Sequence, residues 1–270
     1  MDKWTTPVER SAIIARVTDR ASTLAGGAGR RPVGERAPES AAASRATGER
    51  ASAAPRPDRW LLAFAASVFV FHQLPALAGE PAGDVIDLFT PLFVAATSAG
   101  LLLSLGAPRP AVVLGLLAAL LYVHGQGVHL AANSIHNEGP VGSVEKVAYF
   151  WDERFSHIEA LLGWLGLLGA FCLGESASAV AGLRRDVLVG AAALLGWTFF
   201  TSTVEGQTWP LQIAAAAFFV GWALRARRAD GAPRPLLSAC AAAVAISVLL
   251  IGVWALSQGG VPEFSDTGII

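Results

Sequence analysis

Residues 111–138 read AVVLGLLAALLYVHGQGVHLAANSIHNE. The first half is hydrocarbon. The second half carries three histidines, a glutamine and two asparagines. Thirteen consecutive residues, 111–123, include no charged side chain, and the apolar character runs on past them. A segment of this kind is close to the roughly 20 residues that cross a bilayer as a helix. A spanning backbone has to satisfy its own hydrogen bonds, so a helix is expected. The run also lacks the apolar–polar alternation of a membrane barrel strand.

Similar runs recur along the chain. Of its 270 residues, 53% are hydrophobic and only 15% charged, and the mean hydropathy is +0.50. A soluble domain carries about a quarter charged residues. Seven apolar segments are expected near 60–78, 86–106, 110–136, 149–174, 186–205, 209–226 and 235–257. The fold expected is therefore all-α, a polytopic seven-transmembrane helix bundle over residues 59–260. Residues 1–58 are rich in Ala, Arg, Ser, Gly and Pro. They offer too little large apolar surface to offset chain entropy, so they read as a disordered cytoplasmic tail, with one short helix possible over 8–21. Residues 261–270 form a short tail at the other end, which could fold as a flap over a site. The two cysteines, Cys172 and Cys240, fall inside apolar runs and read as buried free thiols.

The charges orient the bundle. Residues 1–59 hold 11 of the 20 Lys and Arg. Arg109, Arg184, Arg185, Arg225, Arg227, Arg228 and Arg234 would lie on the same side as this tail. Lys146 and Arg154 alone would lie opposite. The positive-inside rule puts the N-terminus in the cytoplasm and the C-terminus outside, in a multi-pass protein of the plasma (inner) membrane.

In that orientation all five histidines, His72, His124, His129, His136 and His157, belong to the outer half. At about 100° per residue, Tyr122, Gln126, His129, Asn133 and His136 share one stripe on the third helix, with His124 turned away. Asp152, Ser156, Glu159 and Gly163 make a stripe on the fourth, flanked by Glu153 and His157. Thr198, Thr201, Ser202 and Glu205 align on the fifth. Polar faces in a bilayer turn to the bundle interior or to a water-filled cavity. A polar cavity opening outward is expected, with His72 and Gln73 near its rim.

Imidazole with carboxylate suits zinc or iron, and His129, His157, Glu153 and His136 are the metal-ligand candidates. Glu159, Glu205 and Asp152 are the catalytic candidates, as general bases toward a bound water. Gln126, Asn133, Tyr122, Ser156, Ser202 and His72 are expected around them. Asp84 and Asp87 read as favourable charges at the start of the second helix. Gly163, Gly166, Gly190 and Gly196 would let helices approach closely. Thr208 before Trp209 and Pro210 reads as a helix start.

Seven helices, a cytoplasmic N-terminus and a His/acid cluster within one leaflet resemble the membrane hydrolase superfamily of alkaline ceramidases and adiponectin receptors. The resemblance is one of architecture, and it implies a zinc between helices and cleavage of an amide bond in a lipid. The last apolar segment, ACAAAVAISVLLIGVWAL, contains no histidine where that family carries a pair, so no residue role passes from it.

The function expected is an integral membrane enzyme, a metal-dependent hydrolase of a lipid or lipid-like small molecule at the outer leaflet. The alternatives are a redox protein holding non-covalent haem between two histidines, and an accessory subunit or transporter. The long tail could bind a cytoplasmic protein partner. No nucleic-acid partner is expected. A retinal protein is disfavoured because the lysines are Lys3 and Lys146, neither within a helix of the bundle.

Overall fold

The computed structural model describes residues 56–79, 82–137, 139, 141–177, 183–230 and 234–268. The tail, including the helix expected over 8–21, lies outside the described residues. Among the described residues there are helices and no strand. In chain order they are α1 (Pro57–Ala78), α2 (Ala82–Ser104), α3 (Arg109–Asn137), α4 (Ser143–Tyr149), a π-helical segment (Phe150–Ser156), α5 (His157–Ala177), α6 (Arg185–Glu205), α7 (Trp209–Asp230) and α8 (Pro235–Gln258). A short 3-10 turn, Ser265–Thr267, follows. The run α4–π–α5 is continuous, so the described residues form seven long helical rods.

Six of these rods are long and apolar enough to cross a membrane. The exception is α7, whose sequence carries Gln212, Arg225, Arg227 and Arg228 in 22 residues. The fourth rod starts at Ser143, six residues before the apolar segment read from the sequence, because the amphipathic SVEKVAY continues the helix outward, and Lys146, expected outside the helices, lies within it.

Large apolar side chains point away from the bundle on every face. Leu103 is 79% exposed, Leu116 60%, Leu249 67% and Leu256 88%. Water would penalise such a surface heavily, whereas lipid tails match it. The interior is equally clear: Phe64, Phe171, Phe199, Leu167 and Leu168 are fully shielded.

Small residues set the closest helix contacts. The most extensive packing is α3 on α5. There a Cβ placed on Gly163 would come within 2.8 Å of the Tyr122 backbone nitrogen, and one on Gly166 within 2.7 Å of the Ala118 Cβ. Gly196 packs on Ala243 and Ile246 of α8 in the same way. Apolar contact gives no hydrophobic drive inside a bilayer, so van der Waals packing of this kind carries the association. Gly190, expected to do likewise, faces open space.

One buried carboxylate ties the far end of the bundle. Glu175 of α5, 6% exposed, accepts the backbone N–H groups of Leu236 and Leu237 at 2.7 and 2.8 Å. These are donors in the first turn of α8 that no helical carbonyl can reach, and a negative charge suits that helix end. Cys172 and Cys240 are both buried. α7 begins at Trp209 directly after Thr208, as its sequence indicates.

Candidate functional site

The histidine-rich end of the bundle encloses a cavity of about 480 Å³. Its walls come from the C-terminal half of α1 (His72, Gln73), the start of α2 (Asp87), α3 (Gln126, His129), the π segment (Glu153, Ser156), α5 (His157, Trp164), the end of α6 (Trp197, Phe200, Thr201, Ser202, Glu205) and Phe264 beyond α8.

The histidines sit in pairs with carboxylates. His129 Nδ1 lies 2.6 Å from Asp152 Oδ1. Asp152 is 2% exposed. The two atoms lie within pairing distance, although neither makes a well-directed hydrogen bond. His157 Nε2 lies 3.8 Å from Glu153 Oε2, one turn away. The His129 and His157 rings meet edge to face with centroids 5.5 Å apart. His72 stands edge-on to Trp164 at 5.7 Å.

The π segment is what places Asp152 and Glu153. It runs through FWDERFS, and both acids belong to it. Wider turns of this kind occur mostly as short insertions in α-helices and favour functional sites. Backbone packing then holds His157. Gly206, just past α6, sits against its ring so closely that a Cβ there would fall 2.4 Å from His157 Cβ.

Glu205 is held from outside the bundle. Its Oε2 accepts the backbone N–H of Phe264 at 2.9 Å. Gln207 Nε2 donates to Val261 O at 2.9 Å and Trp254 Nε1 to Pro262 O at 3.0 Å. Phe264 packs its ring on Phe200 and Trp254. Residues 259–268 thus form a strap that closes one side of the cavity. Glu263, in this strap, lies 3.7 Å from Arg154. Burial raises its pKa above the usual carboxylate value, helped by the negative charges of Glu205 and Asp266 and opposed by Arg154.

Of the residues read from the sequence, the structure brings His72, Gln126, His129, Glu153, Ser156, His157, Ser202 and Glu205 to the cavity, with Asp152 directly behind His129. Glu159 is a correction. It does not face the cavity but lies 2.7 Å from His124 Nδ1 on the outer seam of α3 and α5. Gly125 packs directly on Ser156 and Ala160, so Glu159 emerges on the His124 side of α3. Tyr122 is also displaced from that role: it is fully buried and stacked on Trp164. Asn133 donates to Asp84 at 3.0 Å, tying α3 to α2 rather than lining the cavity. The His136 side chain lies outside the described part of the structure.

Sequence reasoning missed Asp87 as a cavity residue. Its signal was present: it stands one residue inside the apolar run IDLFTPLF, where a helix-end role alone does not require it. Phe264 was hidden in a segment with no helical periodicity.

Among the described residues, no three His, Cys, Asp or Glu side chains form a group that could hold a metal ion. His129 and His157 each turn toward their own carboxylate instead of converging. The zinc- or iron-binding set expected from the sequence also includes His136, whose side chain lies outside the described part of the structure, and no catalytic step is routed through a metal. Comparison with known protein families, with curated proteins and with solved structures finds no match to this chain.

Proposed function

We propose that the protein is an integral membrane enzyme that hydrolyses a lipid-like substrate in this cavity by acid–base catalysis. The observation behind the reading is the His129–Asp152 contact at 2.6 Å at the cavity wall. A buried carboxylate on one imidazole nitrogen orients the ring and stabilises its protonated form. That leaves Nε2 for the cavity, where it would take a proton from an attacking water. His157, with Glu153 beside it, is the second acid–base group and would protonate the leaving group. Seven of the wall residues present apolar or aromatic carbon, which suits an acyl chain more than a sugar or nucleotide. The bundle would be oriented with its N-terminus in the cytoplasm and all seven rods spanning the plasma membrane. The cavity would then open at the outer leaflet, where α7, flanked by its arginines on the inner side, completes the bundle.

The test is turnover in nanodiscs made from a total membrane lipid extract, with products followed by mass spectrometry. Wild type is expected to release products. His129→Ala and His157→Ala are expected to lower the rate by about 10²–10⁴, the usual contribution of a positioned acid or base. Turnover retained in both variants would defeat the reading. Elemental analysis and an absorption spectrum of the same sample address metal- and haem-dependent chemistry.

A further inference from the structure

We propose that the substrate is an amphiphile whose head carries an ammonium group, and that Trp197, Phe200, Phe264 and Glu205 receive it. This rests on the reading that the cavity is the substrate site, and it adds the chemical class of the head.

The aromatic side chains carry the argument first. Trp197 and Phe200 meet at 69° with centroids 5.8 Å apart. Phe200 and Phe264 meet at 84° and 5.6 Å. Rings that meet near the perpendicular form a corner, with faces turned in different directions, rather than a closed stack. All three line the cavity. Electron-rich faces arranged this way attract a large, weakly hydrated cation such as a quaternary ammonium.

Glu205 supplies the charge at the same place. The N–H of Phe264 fixes one of its oxygens at 2.9 Å, so the ring and the carboxylate of this corner are locked together. A cation here meets a preorganised anion beside aromatic faces.

The rest of the cavity has the matching sign. Asp87, Glu153 and Glu205 line it, and none of its lining residues is Lys or Arg. The positive charge that His129 can carry is opposed by Asp152. Arg154 is directed to Glu263 of the strap. A phosphate or carboxylate head would find no fixed cation to pair with and would be repelled by the acids. A bare metal ion is poorly matched as well, since the acids do not converge.

The head would sit between α6 and the strap. The reacting groups, His129 and His157, stand on α3 and at the start of α5 and share the same cavity. An ammonium held in the corner would therefore fix where along the substrate those histidines act.

The experiment compares choline with 3,3-dimethylbutan-1-ol, which has the same shape and no charge. Binding to the purified full chain in neutral detergent is followed by saturation-transfer NMR. Choline is expected to bind saturably and at least tenfold more tightly than the neutral isostere. Trp197→Leu and Glu205→Gln should each remove that difference, Glu205→Asp should keep most of it, and Trp60→Phe, an exposed residue of α1, should keep all of it. Equal binding of the two probes, no saturable choline binding, or selectivity that survives both Trp197→Leu and Glu205→Gln would overturn the proposal. Choline indifference together with histidine-dependent lipid turnover would sink this inference alone. Choline selectivity with turnover independent of the histidines would sink the enzyme reading instead.

Discussion

His129 on α3 and Asp152 on the π segment are held 2.6 Å apart between two elements that otherwise meet through backbone and small side chains. Burying a charge on Asp152 is costly unless its partner stays in place. Removing one partner of a buried ion pair destabilises a protein by about 3–5 kcal/mol, largely because the other is left uncompensated. His129→Ala should therefore lower stability in detergent toward that range, less any relief from the part of its ring that is exposed. The double variant His129→Ala with Asp152→Ala should recover part of the loss. Losses of His129→Ala and Asp152→Ala that simply add up in the double variant would mean that the contact contributes nothing to stability.

Gly206 and His157 make a second prediction. The ring of His157 occupies the space where a side chain on residue 206 would begin. Gly206→Ala should push the imidazole off Glu153 and out of the cavity, at about 1–3 kcal/mol for overpacking. Lipid turnover should fall together with it. Gly221→Ala serves as the control, since nothing lies within 4 Å of a Cβ at that position of α7, and it should leave both stability and turnover unchanged. Thermal unfolding of the three proteins in one detergent, beside turnover in nanodiscs, decides it.

Close helix contact gives a third. At Gly163 an added Cβ would strike Tyr122 at its backbone nitrogen and Cα, both 2.8 Å away. Backbone cannot swing aside as a side-chain tip can, so α3 and α5 must part. Gly163→Ala should be destabilising by about 1–3 kcal/mol, and Gly252→Ala, in open space on α8, by no more than a few tenths. Similar melting temperatures for the two variants would show that the contact is not tight.

The bundle was legible because lipid removes the usual ambiguity of apolar runs. A stretch such as residues 111–123 has no exposed polar face to conceal, and helix is the structure that satisfies its backbone in hydrocarbon. The stripe Gln126–His129 was legible for the same reason, since polar side chains at helical spacing must face inward. What periodicity could not show was the partner of each group. Glu159 and His157 are two residues apart, yet one reaches His124 on the outer seam and the other the cavity. That choice depends on where Gly125 lets α3 settle on α5, a packing fact with no periodic signal. The strap is the other case. Glu205 is satisfied by a backbone N–H 59 residues away, a contact formed by a loop whose sequence carries neither helical nor strand rhythm.

Glu263 in that strap makes the stability of the cavity wall depend on pH. It lies outside the spanning helices and is almost fully buried. Burial raises its pKa above the ordinary 4.5 against the pull of Arg154. The sign follows from proton counting. Between 4.5 and the raised value, the free strap has lost its proton while the docked strap still holds it. The docked state therefore binds more protons, and docking weakens as pH rises through this window. Hydrogen exchange at the amide of Phe264, which Glu205 accepts, should accelerate over the window by more than the intrinsic pH dependence of exchange. Glu263→Gln should remove that excess while leaving the Phe264–Glu205 bond in place. An unchanged pH profile in the variant would mean that Glu263 is not the source of the dependence. Arg154→Gln provides the opposite check. Without the guanidinium, the Glu263 proton is held to still higher pH, and the accelerating window should move upward.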